Sequence, residues 1–577
     1  MIPIKNYCCA ASCGVVSRRR VLRIVHGCAF CAWEGLDSRA EGPAVPCAPF
    51  TGKRILAVSS GSCGKGGPAV PNTHSISKRT FLKTAGAGVL TSVLPTWRRA
   101  AHAAGDAYDL IVIGAGTAGM PAAIFAADRG ARVLVIEKSP VLGGTLDRSG
   151  GQMSAAGTVF QKRKGIKDTP DAHFEDHMRI NHWSSDPMVT RLFVDNAGES
   201  LNWLAANGFE VLDNHPVKGA GHEFFTTARY QWGKDNGKSI LAVTEPLFRK
   251  AMAEGKIDLK LDTGAVDLVQ DGTGAVVGVT AESDTGTLTD YMGKNVLLAS
   301  GGCASNPRMF YDMHGVALAS QVAYPYSQGA GFVLGQGAGG FLRYGEKYIG
   351  TFGGLLSDDN FPATLEGSFE HHPNIRPPWE IYVNANGERF MCEDNPSIDY
   401  RERSLLHQPG ERMWVVADQD MIEKAPEWIP RWSKEKFMDS FGSHPMFAKA
   451  ESLTALAAKV GIPGSMLAGT VKSYNASINE GLPDAFGRQH RPAQLKRGPF
   501  YAVRFTAWQL KSFAGLAIDA KLRVIRPDGS HIPGLFGAGE VIGGGATGGN
   551  AYTNGSMVTP AVTFGRLVGQ RMAVFGT

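Results

Sequence analysis

Between Tyr108 and Glu137 the chain runs apolar strand, glycine-rich turn, helix, strand and acid, and few folds satisfy that order. Leu110, Ile111, Val112 and Ile113 form an apolar run that reads as the buried part of a strand over Tyr108 to Ile113. It leads into Gly114-Ala115-Gly116-Thr117-Ala118-Gly119, then a helical pattern through Ala122, Ala123, Ala126 and Ala127. A second strand, Arg132 to Ile136, ends in Glu137. Gly114 permits the tight turn, Gly116 lets backbone reach a pyrophosphate, and Gly119 permits close helix–strand packing. The helix N-terminus then offers unpaired N–H groups and a positive dipole to phosphates. Glu137 stands 18 residues past Gly119, where a carboxylate accepts hydrogen bonds from ribose hydroxyls. A lone GxGxxG is weak evidence; set between strand and helix with the acid at this distance, it predicts a dinucleotide site.

A chain of 577 residues exceeds what one core needs, so two or more domains are expected. No basic stripe interleaved with aromatics runs through the body, which argues against nucleic-acid binding. No stretch of 18 apolar residues occurs, so no integral membrane segment is expected. Seven of the nine cysteines precede residue 64, leaving Cys303 and Cys392 in a body that a core must stabilise without disulfides. Cys28 and Cys31 form a CxxC followed by Ala32, with no second spaced pair, so no metal site is expected. Residues 1–76 read as a disordered or misannotated extension. Within 77–104, Ser77-Lys78-Arg79-Thr80-Phe81-Leu82-Lys83, an apolar run and Ala101-His102-Ala103 follow the order of an export signal. This segment resembles a twin-arginine signal with Lys78 for the first Arg, which implies export of a folded protein to the periplasm; otherwise the protein is cytoplasmic. So deep a signal predicts a true start downstream of Met1, such as Val70.

After Glu137 the chain continues Lys138-Ser139-Pro140-Val141-Leu142-Gly143-Gly144-Thr145, then Ser149-Gly150-Gly151. Later come Val296 to Gly302 with Asn306, Asn384 to Glu393 (N-x-x-G-x-R-F-x-x-E), and Gly534 to Glu540. In these segments, in this order from Tyr108 to the C-terminus, the chain resembles the flavoprotein family of fumarate reductases and succinate dehydrogenases, which includes 3-ketosteroid dehydrogenases. The resemblance implies an α/β fold: a Rossmann-type, glutathione-reductase-like FAD-binding domain with an inserted α+β capping domain. The FAD domain would be discontinuous, 108–345 and 502–577, and the capping domain would occupy 346–501. It implies FAD contacts at Gly114, Gly116, Ala118, Gly119, Glu137, Lys138, Gly143, Gly144, Thr145, Ser149, Gly150 and Gly151, and further on at Val266, Ala299, Gly301, Gly539, Glu540, Ser556 and Val558. Members with covalent FAD carry a His just upstream of the Ser/Gly segment; Leu146, Asp147 and Arg148 stand there, so the FAD is expected to be non-covalent. The body lacks haem and cluster spacings, so electrons are expected from, or to, an external donor or acceptor. Residues 346–450 are rich in Pro, aromatics and charge, and helices are predicted over Glu451 to Val460 and Ser465 to Ile478.

Hydride transfer at flavin N5 is the cofactor's chemistry, so the protein must position a small-molecule substrate and move one proton. Fumarate reductases clamp a dicarboxylate with paired His and Arg. Here no His lies between Trp508 and Ser512, no Arg falls between Gly545 and Tyr552, and the proton-donor Arg position holds Ser397. The tail Tyr552…Thr559-Pro560-Ala561-Val562-Thr563-Phe564-Gly565 is closer to the 3-ketosteroid dehydrogenase branch, where such a Tyr assists proton removal beside a ketone. Tyr552, Tyr400 and Arg401 are thus the catalytic candidates. Against this, Tyr552 reads equally as a packing or flavin-edge residue, and Tyr400, Arg401 and Arg403 as a solvated charged loop. His371 and His372 read as surface or cap packing. The expected activity is dehydrogenation or reduction of a carbon–carbon bond next to a carbonyl, by an FAD-dependent oxidoreductase. A fumarate- or urocanate-type enoate reductase and a flavin-carrying electron-transfer subunit are the alternatives.

Overall fold

β1 (Leu110–Ile113) and β2 (Val133–Ile136) are buried along their whole length, which their unbroken apolar sequences require of strands covered on both faces. The structure, a computed structural model, describes residues 107–573. The extension at 1–76 and the export signal at 77–104 lie outside the described residues. β1 and β2 sit centrally in a six-stranded sheet, whose order is Arg523–Ile525, His531–Gly537, Val296–Leu298, β1, β2, Ile257–Lys260. The five strands from His531–Gly537 to Ile257–Lys260 are parallel, and Arg523–Ile525 closes one edge antiparallel. Helix α1 (Gly119–Asp128) connects β1 to β2 and packs almost wholly buried, the right place for so many alanines. A three-stranded antiparallel meander (Thr263–Gln270, Val276–Ser283, Leu288–Met292) flanks this sheet.

A second sheet has its own core. Its order is Leu365–Ser368, Thr351–Leu356, Phe500–Trp508, Arg412–Asp418, Ile381–Val383, with Phe447–Ala450 also paired to Phe500–Trp508. Residues on both sides of 502 belong to this sheet. Phe500 to Thr506 are in continuous register with Asp418 to Arg412, and Trp508 still pairs with Thr351. The chain therefore leaves this sheet only after Trp508. Its buried aromatics include Trp428 and Trp432, from the stretch whose composition marked it off. The predicted helices are Leu453–Val460, capped by Ser452 accepting from the Ala455 N–H, and Gly464–Asn479.

The N-x-x-G-x-R-F-x-x-E segment builds a turn and an ion-pair hub here. The Asn384 side chain accepts from the Asn386 and Glu388 N–H groups. Arg389 pairs with Glu393 and Asp484, both at 2.6 Å, with all three side chains nearly inaccessible. Among the described residues no helix is long and apolar enough to cross a membrane, and no cluster of three or more His, Cys, Asp or Glu could hold a metal.

Candidate active site

At the end of β1 the chain turns through Gly114, whose φ of +105° suits only glycine, and an added Cβ would stand 2.5 Å from the Ala299 carbonyl oxygen. The turn is thus pressed against the residue that follows the Val296–Leu298 strand. Gly116 and Gly144 face each other so closely that a Cβ on Gly144 would reach 3.1 Å from the Gly116 Cα. No side chain caps α1 at Ala118; the Met120 N–H turns back to the Gly116 carbonyl at 3.2 Å, and Pro121 has none to offer. Glu137 Oε2 accepts from the Ala115 N–H at 2.6 Å and Oε1 from the Ser139 N–H at 2.7 Å. Burial raises its pKa, and those amides oppose the rise. A carboxylate has about four acceptor positions, and the Ala115, Lys138 and Ser139 amides act on this one, leaving the remainder to face a ligand.

One cavity of about 1010 Å³ starts at this corner, at the top of the range usual for small-molecule sites. Its near end is lined by Gly114, Gly116, Ala118, Glu137 and Lys138, with Val266 from the flanking meander. Gly144, Thr145, Ser149, Gly150, Ala299, Gly301, Gly539, Glu540, Ser556 and Val558 line it as well. Away from the corner, the far end holds Tyr552, Lys511, His222 and Thr351.

The far end is built from both sheets' elements. Tyr552 lies on the loop between helices Gly544–Gly548 and Val558–Leu567. That loop is pinned where Asn550 N–H donates to Ser184 Oγ at 3.0 Å and Asn554 donates to the Glu223 carbonyl at 2.9 Å. Thr351, on the second sheet, donates its hydroxyl to the Tyr552 oxygen at 3.1 Å. The His222 ring stacks on Tyr552 at 5.4 Å. Burial raises the Tyr552 pKa above the ordinary phenol value, so the hydroxyl keeps its proton. Burial, helped by the Lys511 charge, pulls His222 down to about 4, so this ring is neutral near pH 7. Lys511 is 5% exposed, and its Nζ lies 4.5 Å from the Tyr552 ring centre and 4.8 Å from that of Phe513.

A family model described as "FAD binding domain" matches residues 109–556. The chain belongs to that family. Fumarate reductase (cytochrome) of Shewanella frigidimarina is 31% identical to the flavoprotein over 479 residues, covering 82% of this chain and 78% of that one. The 3-oxosteroid 1-dehydrogenase of Mycolicibacterium smegmatis is 26% identical over 571 residues, covering 80% and 96%. The open conformation of a flavocytochrome c3 fumarate reductase superposes with a TM-score of 0.60 at 26% identity, covering 81% of this chain and 78% of that one. The flavoprotein is an FAD-dependent oxidoreductase related to both kinds of enzyme. The residues present fit FAD: a glycine cradle that a Cβ would fill, a buried acid with free acceptor positions, and a long cavity continuing past them.

Three glycines expected to touch the cofactor do not line the cavity and shape its walls instead. A Cβ on Gly119 would fall 1.8 Å from the Gly114 oxygen, so this residue sets how closely α1 meets the turn. Gly143 donates its N–H to the Ala115 carbonyl at 3.0 Å, and Gly151 packs against the Asn236 backbone.

Neither Tyr400 nor Arg401 lines the cavity. They lie on a helix, Ile398–Leu406, rather than a solvated loop. Ser397 caps it, accepting from the Tyr400 N–H at 3.1 Å and donating to Glu223. The Tyr400 oxygen accepts from the Cys392 N–H at 3.0 Å while its ring packs on the second core. Arg401 is fully buried, donates to the Asn395 carbonyl, and leaves Nε and Nη2 without partners. Burial pulls its pKa down to about 10. Arg403 is engaged with Asp399 and Asn550. His371 packs edge-on against Phe352 at 4.8 Å.

Lys511, His222 and Thr351, which line the cavity, were missed by sequence reasoning. Lys511 falls within the very segment, Trp508 to Ser512, that lacks the family's carboxylate-binding His, so a search for any cation there would have found it. His222 and Thr351 come from distant segments and carry no motif. Glu402 is buried with both carboxylate oxygens unpartnered, and burial raises its pKa well above the usual range.

Proposed function

We propose that the flavoprotein reduces a carbon–carbon double bond conjugated to a carbonyl, with Tyr552 as the residue that delivers the proton. The observation carrying this reading is the Tyr552 hydroxyl, fixed by Thr351 in the same cavity that begins at the Gly114–Glu137 corner. Non-covalent FAD, held along that cavity by the glycine turns and Glu137, supplies the hydride chemistry when bound. The chain's own work is to orient the substrate, exclude water and move one proton. Burial keeps the Tyr552 phenol protonated, the form from which a proton donor must start. The parallel sheet supports a Rossmann-type, glutathione-reductase-like FAD domain. The second sheet, which contributes Thr351, supports a capping domain that closes over the substrate end. Export of the folded holoenzyme, and an external electron donor, complete the reading.

Tyr552→Phe tests it. The variant should keep the yellow FAD spectrum and lose about 10²- to 10⁴-fold in kcat with an enone or enoate and a reduced viologen dye. Turnover undiminished in this variant would remove Tyr552 from the mechanism. A second reading, desaturation of a saturated ketone, draws on the same Tyr552 and on the spacing of its C-terminal tail. It predicts flavin bleaching on adding a saturated 3-ketosteroid without any reductant. Strong fumarate turnover would favour instead the dicarboxylate reductases, although Arg403 is already engaged and Arg401 stands behind the cavity wall.

A further inference from the structure

A buried ammonium is expensive unless an anion or several acceptors surround it. Lys511 is 5% exposed, its Nζ has no hydrogen-bond partner, and it lines the cavity beside Tyr552. Its position is fixed by its neighbour. Ser512 donates its N–H and hydroxyl to Glu540 at 2.8 and 3.0 Å and accepts from the Cys303 N–H at 3.0 Å. The two aromatic faces within 5 Å of Nζ offer a cation some attraction and no hydrogen-bond acceptor. Such a group is poised for a ligand oxygen to complete it.

Building on the reductase reading, we propose that Lys511 is the specificity-determining anchor of the site, binding through its ammonium a single carboxylate on the substrate. One cation takes one carboxylate. A second carboxylate would meet Tyr552, His222 and Thr351 at this end of the site, none of which is cationic near neutral pH. The stacked His222 and Tyr552 rings, both on the cavity wall, suit a flat apolar body. The preferred substrate is therefore an unsaturated acid with one carboxylate and an aryl or alkyl remainder.

Anchoring by charge carries a pH signature. Glu540, Glu402, His222, His177 and Tyr552 face Lys511 electrostatically or in contact, and burial outweighs the two acids to bring Lys511 down to about 8. Carboxylate binding should then weaken as pH rises past that value.

The test uses the FAD-loaded enzyme with cinnamate, its uncharged amide and fumarate, reading kcat/KM under reduced viologen. Wild type should prefer cinnamate to the amide by about 10- to 100-fold, the worth of one charge-assisted hydrogen bond. Its KM for cinnamate alone should rise above pH 8. Lys511→Met should erase the preference, and Lys511→Arg should keep it while abolishing that rise. Equal use of acid and amide by wild type, preference for fumarate, or preference retained in Lys511→Met with FAD bound would each overturn the proposal. The wild-type pH profile decides even if Lys511→Met fails to fold. A holoenzyme reducing none of the three overturns this inference, and the reductase reading falls with it only if an enone is not reduced either. Turnover without charge preference defeats the anchor alone.

Discussion

Single residues decide the chemistry here through the backbone they sit on. Gly114 is the tightest case: Gly114→Ala must both hold a left-handed φ and clear the Ala299 carbonyl. We predict a loss of about 2–4 kcal/mol in unfolding free energy, together with weakened FAD retention, measured by denaturant titration and flavin content. Glu411 offers a titration instead. It accepts from the Tyr348 hydroxyl at 2.8 Å, and burial raises its pKa to about 6, above the value expected in the unfolded chain. A raised folded-state value means its favourable contribution is complete below about pH 4.5 and is lost as pH climbs through 6. Glu411→Gln should therefore flatten the stability–pH curve across that window, which thermal melts at stepped pH will show.

At the level of elements, the second sheet depends on a charged hub rather than on apolar contacts alone. Arg389 holds Glu393 and Asp484 together, and Arg488 lies 3.7 Å from Glu393, all with side chains almost fully buried. Removing one acid leaves a guanidinium buried with too few partners. Glu393→Ala should cost about 3–5 kcal/mol. Because the hub ties the Asn384 turn to the loop at Asp484, hydrogen exchange should accelerate in the second sheet well before the β1–β2 region. This hub also explains why the N-x-x-G-x-R-F-x-x-E pattern was legible in the sequence: a turn and an i,i+4 ion pair are local devices whose spacing survives in one dimension. The helix at Ile398–Leu406 was not, since charged residues in a row read as surface. Only the contacts around it reveal Arg401 and Glu402 as buried.

For the molecule as a whole, the two sheets meet along the cavity, and FAD filling it would bind only the folded state. Adding FAD to a hundred times its Kd should raise the unfolding free energy by about 2.7 kcal/mol, read as an upward shift in Tm. Protection from protease should extend to the second sheet as well as the first, since Thr351 and Tyr552 join the two at the cavity's far end.

The order of strand, glycine turn, helix and acid was enough to determine the dinucleotide corner, because its parts lie within thirty residues and their physics is local. What the sequence left undecided is which side chains share the substrate end. Tyr552 was legible through its tail motif, whereas Lys511, His222 and Thr351 approach it from segments 41 to 330 residues away in the chain. Their meeting is fixed by the pinned loops and the crossing back after Trp508, and only packing of the folded chain creates it. Tyr400 shows the converse: in sequence it stands beside a suggestive cluster, but the helix that carries it turns its hydroxyl to the Cys392 amide and away from the cavity.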